Sequence, residues 1–388
     1  MIENNIDIAS YAQGKPFCNI KIIGVGGAGN NAVNRMINST ITGVEFIVAN
    51  TDAQVLINSR CEKKLLLGKD TTHGLGAGSN PEKGRLAAIE SEDEIAEILK
   101  GADMVFIAAG MGGGTGTGAS PIIAKISRDL GALTVGIVTR PFTFEGKNRN
   151  SYAAEGIQEL KQNVDSLIII SNDNLLRING AIPLKDSFKE ADNVLAQSVQ
   201  TITDLIVGVS LINLDFADVK TIMYNKGTAM IGIGVGEGEK KAVEAASRAI
   251  SSPLLEASII GAKNAIVNIT GGPSMTLFDA NDAVEYIRDA VGIEGELNVI
   301  FGVNIDDSLD DKMKVSIIAT EFPQSLGNTN DEIPTIKKFE HVAEVIPPIK
   351  DETRRVNIAP EKKEEIKEQQ AKVDEKESIL PSFLRRKR

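Results

Sequence analysis

Gly110-Met111-Gly112-Gly113-Gly114-Thr115-Gly116-Thr117-Gly118 decides the fold of this chain. The apolar stretch before it, Met104 to Ala109, carries no charge and is short, which predicts a buried strand. A helix is predicted after it, over about Ala119 to Asp129. Between Gly112 and Gly118 stand five glycines and two threonines, with no Lys or Arg. Strand, bare loop and helix is the arrangement that aims backbone N–H groups and the positive end of a helix dipole at an anion. Thr115 and Thr117 add hydroxyl donors.

A second such junction lies upstream. The predicted strand Ile20 to Val25 runs into Gly24-Val25-Gly26-Gly27-Ala28-Gly29, a literal G-x-G-x-x-G, and a helix is predicted from Asn30 to Ile37. Alone, this loop fits a dinucleotide fold, with Glu45 or Asp52 near the strand Glu45 to Ala49 as the ribose acid. It also fits a tight turn that needs positive φ. A second phosphate cradle has no use in a dinucleotide fold. A nucleoside triphosphate uses both, one loop for its α/β-phosphates and one for its γ-phosphate. G-x-x-x-x-G-K-[ST] does not occur, which excludes a P-loop.

Further strands are predicted at Leu133 to Val138 and Leu167 to Ile170. Phe188, Ala191, Val194, Leu195, Val199, Ile202 and Leu205 recur at helical spacing and predict one long helix. A second unit to about Phe322 has strands near Ala265 to Ile269, Leu297 to Gly302 and Lys314 to Ala319. The alternation gives an α/β class with a mainly parallel sheet. Of 36 glycines, 35 precede Pro323; from there on, charge and scattered prolines predict a disordered linker.

The formal net charge of −11 falls entirely on the body before Pro323, with 28 Lys/Arg against 40 Asp/Glu. That argues against a general nucleic-acid binder. A polyphosphate here must be neutralised locally, by backbone N–H groups and a metal. Two Cys and two His exclude a disulfide framework and a Cys/His zinc site. There is no apolar run of the roughly 18 residues a membrane span needs, and no basic-then-apolar N-terminal signal, so a cytoplasmic location is expected.

The glycine-threonine loop resembles the signature loop of the tubulin/FtsZ GTPase family. Asn50 to Gln54, Gly74 to Pro81, Ala102 to Met111 and Pro141 to Gly146 are similar to its bacterial branch. The resemblance runs from about Ile20 to Phe322 and resumes over the last ten residues. It implies a Rossmann-like GTP-binding domain over 19–183 after a flexible arm (1–18) and a core helix over 184–208. A C-terminal α/β domain (209–322), a linker (323–376) and a docking peptide (377–388) follow. It also implies GTP/GDP and Mg²⁺, hydrolysis coupled to head-to-tail polymerisation, and a role in the mid-cell division ring.

Residue by residue, the resemblance assigns Gly26, Gly27, Ala28, Gly29, Asn30 and Asn31 to the first nucleotide loop. Gly113, Gly114, Thr115, Gly116 and Thr117 form the second, and Ala77, Gly78 and Ser79 the loop near the γ-phosphate. Many members have Gly where this chain has Ala28; its small methyl is expected to preserve the loop. Glu145 and Arg149 are assigned to the ribose and nucleotide edge, although at i, i+4 they also read as a helix ion pair. Asn172, Phe188 and Asp192 resemble a guanine pocket. A carboxylate accepts from guanine N1–H and N2–H₂ together, whereas adenine offers an acceptor at N1.

Asp215 and Asp218, at i and i+3, read as helix-capping acids. The long helix separates them from the nucleotide, and the resemblance makes Asn213, Asp215 and Asp218 the catalytic loop that enters the next subunit. The family's Pro-Gly before this loop is replaced by Val209-Ser210. Ile379, Leu380, Pro381, Phe383 and Leu384, before four basic residues, resemble the family's docking peptide for membrane-tethering adaptors.

Overall fold

The computed structural model describes residues 18–39, 41, 43–179, 183–207, 211–212, 214–292 and 297–322, without the side chains of 176–179 and 184–185. Its strands are β1 (Ile20–Val25), β2 (Val44–Asn50), β3 (Lys63–Leu66), β4 (Met104–Gly110), β5 (Leu133–Arg140), β6 (Ser166–Ser171), β7 (Gly227–Glu237), β8 (Asn264–Gly271), β9 (Asn298–Ile305) and β10 (Lys312–Thr320). They form one ten-stranded sheet in the order β3-β2-β1-β4-β5-β6-β7-β10-β8-β9. All neighbours are parallel except β10, which is antiparallel to β7 and β8.

The central strands are buried on both faces, which accounts for their unbroken apolar runs. Period-2 alternation still sorts their side chains. Ile20, Ile22, Met104, Phe106, Leu133, Val135 and Ile137 join one core. Ile23, Val25, Val105, Ile107, Ala109 and Val138 join the core on the other side.

Helices α1 (Gly26–Ile37), α2 (Ala53–Asn58), α3 (Lys69–Thr72), α4 (Pro81–Glu90), α5 (Glu92–Leu99), α6 (Thr115–Asp129), α7 (Lys147–Asn163) and α8 (Asn172–Asn179) follow the first strands. The predicted long helix is α9 (Leu184–Val207), and at 24 residues it is about 36 Å long. Its stripe Ala191, Val194, Leu195, Val199, Ile202 and Leu205 is buried in the first core beside α1. Each large apolar side chain there contributes roughly 1.5–3 kcal/mol. Beyond it come α10 (Phe216–Met223), α11 (Lys241–Ile250) and α12 (Leu277–Val291), the last two packed in a third core against β7–β10.

β7 has no counterpart in the strands read from the sequence, because Gly232, Gly234 and Gly236 disguise it. Their role is steric. A Cβ on any of the three would stand 2.1 Å from a carbonyl oxygen of α11: Ala249, Ala245 and Lys241 respectively. Alternate glycines leave one strand face bare so that an alanine-rich helix lies directly on it.

A candidate nucleotide site at the sheet's switch point

The order β3-β2-β1-β4-β5-β6 reverses direction between β1 and β4. In open parallel sheets, ligands bind at the carboxyl ends of the strands where that reversal opens a crevice. Both glycine loops lie there, one after β1 and one after β4.

The loops interlock. A Cβ on Gly26, whose φ is +71°, would stand 2.8 Å from Gly116 N, and one on Gly114 would stand 2.8 Å from Ala77 Cβ. Thr51 Oγ1 and Thr115 Oγ1 share a hydrogen bond of 2.6 Å, and Gly76 N donates to Thr51 O at 3.0 Å. By contrast, nothing lies within 4 Å of a Cβ on Gly27, Gly78 or Gly113. Each of the three loops is thus sealed below and open above.

α1 and α6 begin at this opening with neither a side-chain cap nor an acidic residue in the first turn. Their first N–H groups are left for an anion. Gly27, Asn31, Gly78 and Ser79 are exposed here, and Ala28, Gly113 and Thr115 are half-buried. Ser79 adopts φ +60°, a strained conformation for a residue with a side chain.

Three assigned side chains do not face the opening, the first being the Ala77 methyl, which is buried against Gly114. Asn30 is fully buried. With its amide oriented by its hydrogen-bond partners, it donates to the carbonyls of Gly24, Gly26 and Ala49 at 2.8, 3.0 and 3.2 Å. It braces the first loop from beneath. Thr117 is also buried; its hydroxyl accepts from Gly112 N at 2.8 Å and its methyl abuts the Gly156 position of α7. Both hold the cradle's shape, a use of polar residues that composition does not separate from ligand contact.

The residues assigned to a guanine pocket gather around α9 and the loop after β5. Phe188 is partly exposed and meets the buried Phe142 edge-on at 5.3 Å, while Phe144 stacks on Phe142 at 5.0 Å. Asn172 is 6% exposed and its Oδ1 has no partner, an orphaned acceptor that a ligand N–H would satisfy. Asp192 Oδ2 stands 3.5 Å from Arg35 Nε, and burial pushes its carboxyl up to about 6 against the pull of that guanidinium. Glu145 pairs with Arg149 and accepts from Phe142 N at 3.0 Å, so the ion pair also closes the turn carrying Phe144. Thr51, Phe144 and Arg35 were not among the residues read from the sequence. Thr51 and Phe144 stand inside stretches that carry the family resemblance but have no role legible from the sequence, and Arg35 acts through a partner distant in the chain.

Glu45 pairs with Lys63 at 2.6 Å at the amino end of β2, away from the crevice. Asp52 Oδ1 accepts from Gln54 N at 2.9 Å to cap α2. Glu45 is therefore at the wrong end of its strand for a ribose acid, and Asp52 has Oδ1 committed to the helix cap.

Asp215 and Asp218 lie at the other end of the strands. Val207, closing α9, packs at Gly43 just before β2, and Met223 O of α10 accepts from Ser166 Oγ at the start of β6. Both contacts are at the amino ends. Asp215 caps α10 by accepting from Asp218 N at 2.8 Å, and both acids are exposed. Asn213, residues 208–210 and the peptide from Ile379 lie outside the described residues. Among the described residues no three His, Cys, Asp or Glu could hold a metal ion, and no helix is long and apolar enough to cross a membrane.

The GTPase domain of the tubulin/FtsZ family matches residues 19–180, and the FtsZ family C-terminal domain matches residues 227–323. The structure resembles the empty FtsZ dimer of M. jannaschii with a TM-score of 0.77 and 43% identity, covering 83% of this chain and 93% of that one. A mutant of the same FtsZ gives 0.77 and 44%, with 82% and 95% covered. The GTPγS-bound protofilament of CetZ2 from Haloferax volcanii shares the fold at 0.68 and 19% identity, with 80% and 95% covered. Two open glycine loops at one switch point, with these matches, make this chain a member of the tubulin/FtsZ GTPase family and of its FtsZ branch.

Proposed function

We propose that the chain hydrolyses GTP between two copies of itself stacked head to tail, and that the resulting filament serves bacterial cell division in the cytoplasm at mid-cell. One observation carries this reading. The phosphate cradle lies at the carboxyl ends of the strands, and the exposed acids Asp215 and Asp218 lie at the amino ends. Neither end holds a whole active site; stacking two copies along the strands brings one to the other. The similar FtsZ of M. jannaschii is a dimer, which supports self-association here.

In this mechanism the first-turn N–H groups of α1 and α6 hold the phosphates and stabilise the charge that develops on them. Neither glycine loop contributes a cation. Bound Mg²⁺ would supply the missing charge neutralisation, and the half-buried Thr115 is the loop residue whose hydroxyl would help hold it. Asn213 of the adjoining copy would help orient the attacking water, and the carboxylates of Asp215 and Asp218 would polarise it and accept its proton. The water oxygen bonds to the γ-phosphorus as the bond to the β–γ bridging oxygen breaks, and GDP and phosphate leave. Asn172 and Asp192 would read the guanine, Phe188 would lie against it, and Glu145 with Arg149 would border the ribose. Ile379, Leu380, Pro381, Phe383 and Leu384 would dock on membrane-tethering adaptors.

Phosphate release against protein concentration tests the reading. A site shared between copies gives a rate that rises more steeply than linearly, together with sedimentation in GTP but not in GDP. A linear rate from dilute monomer would overturn it.

A further inference from the structure

α1 reaches the base end of the cleft as well as the phosphate end. Arg35, in its last turn, places Nε 3.5 Å from Asp192 Oδ2, and its Nη1 donates to Asn193 Oδ1 at 3.1 Å. Asn193 in turn donates to Glu190 Oε2 at 3.2 Å. The guanidinium thus grips two consecutive residues of α9, a forked contact that suits Arg. The Asp192 side chain is 14% exposed against 34% for Arg35, so the carboxylate is the more deeply placed partner.

A carboxylate reads guanine only while it is ionised. Once protonated it presents its own O–H toward the N1–H and N2–H₂ donors and loses an acceptor. Burial works against ionisation at Asp192, and Arg35 is the one charged group whose pull opposes it there. Glu190, on the same helix, is engaged by Asn193. Without the guanidinium, burial acts unopposed.

We infer that Arg35 is a positioning residue that sets base specificity: it holds Asp192 ionised and aimed, so that guanine is selected at neutral pH. The inference rests on the GTP reading above.

The test is GTP affinity between pH 6 and 8.5 for the full chain and for Arg35→Met, Arg35→Lys and Asp192→Asn, each expressed relative to the parent at the same pH. That ratio cancels the titration of the nucleotide itself. Arg35→Met should bind on the order of tenfold more weakly near pH 6.5, since each unit added to a pKa above the working pH removes about a factor of ten in ionised fraction. The deficit should shrink toward pH 8.5. Arg35→Lys should recover most of the affinity, and the Asp192→Asn ratio should not follow the Arg35→Met profile. A deficit in Arg35→Met that is equal at every pH, or one that Lys does not relieve, would make Arg35 a plain structural contact and overturn the inference. A parent chain that binds no GTP at any pH would overturn the functional reading with it, so the two failures are distinguishable. Matching thermal melts of Arg35→Met and the parent exclude misfolding as the cause.

Discussion

Gly27 and Gly29 stand two residues apart in one loop, and a methyl group on each has opposite consequences. On Gly29 it would meet Ala108 O at 2.2 Å, whereas on Gly27 it would meet nothing within 4 Å. Gly29→Ala should therefore cost about 1–3 kcal/mol of folding stability by overpacking. Gly27→Ala should leave stability within about 0.5 kcal/mol, as uncrowded surface changes do, yet weaken GTP binding by intruding on the cradle. Denaturant melts with nucleotide titrations check the pair; equal stability for both variants would contradict the interlocked geometry. Asp192→Ala should weaken GTP roughly 10- to 150-fold, the worth of one charge-assisted hydrogen bond, and leave ATP less affected. Equal losses for the two nucleotides would make Asp192 structural. The glycines were legible in the sequence because bare backbone at a strand–helix junction has few other uses. Asn30 and Thr117 were read as ligands because a polar residue in such a loop bonds either the nucleotide or the loop, and only the burial of each side chain distinguishes the two. Arg35 could not be found at all, since its partner Asp192 lies far along the chain.

Elements were legible in their cores and blurred at their ends. β1 runs from Ile20 to Val25 as read, but α1 and α6 start at Gly26 and Thr115, four residues before the predicted positions. The glycine loops themselves supply the first helical turns, which is how their N–H groups come to face the cleft. The edge strand β3, with its two lysines, and the glycine-studded β7 carry no apolar run and were not read. α9 was legible through its stripe, but beside the stripe lies a half-buried carboxyl, Asp204. Burial pushes Asp204 up to about 6, partly offset by Lys314 of β10, whose own ammonium burial pushes down. A carboxyl raised on folding contributes stability below its unfolded pKa of about 3.9, and that contribution is lost as pH rises through about 6. Asp204→Asn, which stays uncharged, should therefore gain stability relative to the parent between pH 4 and pH 7. Urea melts at the two pH values measure it; a difference that stays constant or reverses sign would show that Asp204 is not desolvated by α9 and the sheet.

The proposed division of labour between the two ends of the sheet belongs to the whole molecule, and it admits a test that no single variant provides. Asp215→Ala removes an acid at the amino ends and leaves the nucleotide cleft of its own copy untouched. It also removes the cap on Asp218 N, costing α10 about 1 kcal/mol. Dilute monomer should still bind GTP, while turnover falls by roughly 10²–10⁴, the usual worth of a positioned acid or base. Gly114→Val does the reverse. Its side chain would press on Ala77 and Asn80, where a Cβ alone already comes within 2.8 and 3.0 Å; its own cleft fails while its Asp215 remains intact. Each variant alone should be nearly inactive. Mixed in equal amounts, about a quarter of randomly formed head-to-tail contacts pair an intact cleft with an intact acid, because such a contact joins two different surfaces. Phosphate release should then rise well above the sum of the two separate rates and peak near equal proportions. An active site contained within one copy gives no such recovery, since every copy in the mixture would carry its own defect. A strictly additive rate, with both variants shown to enter the same sedimenting polymer, would therefore place the acids and the cleft in one subunit.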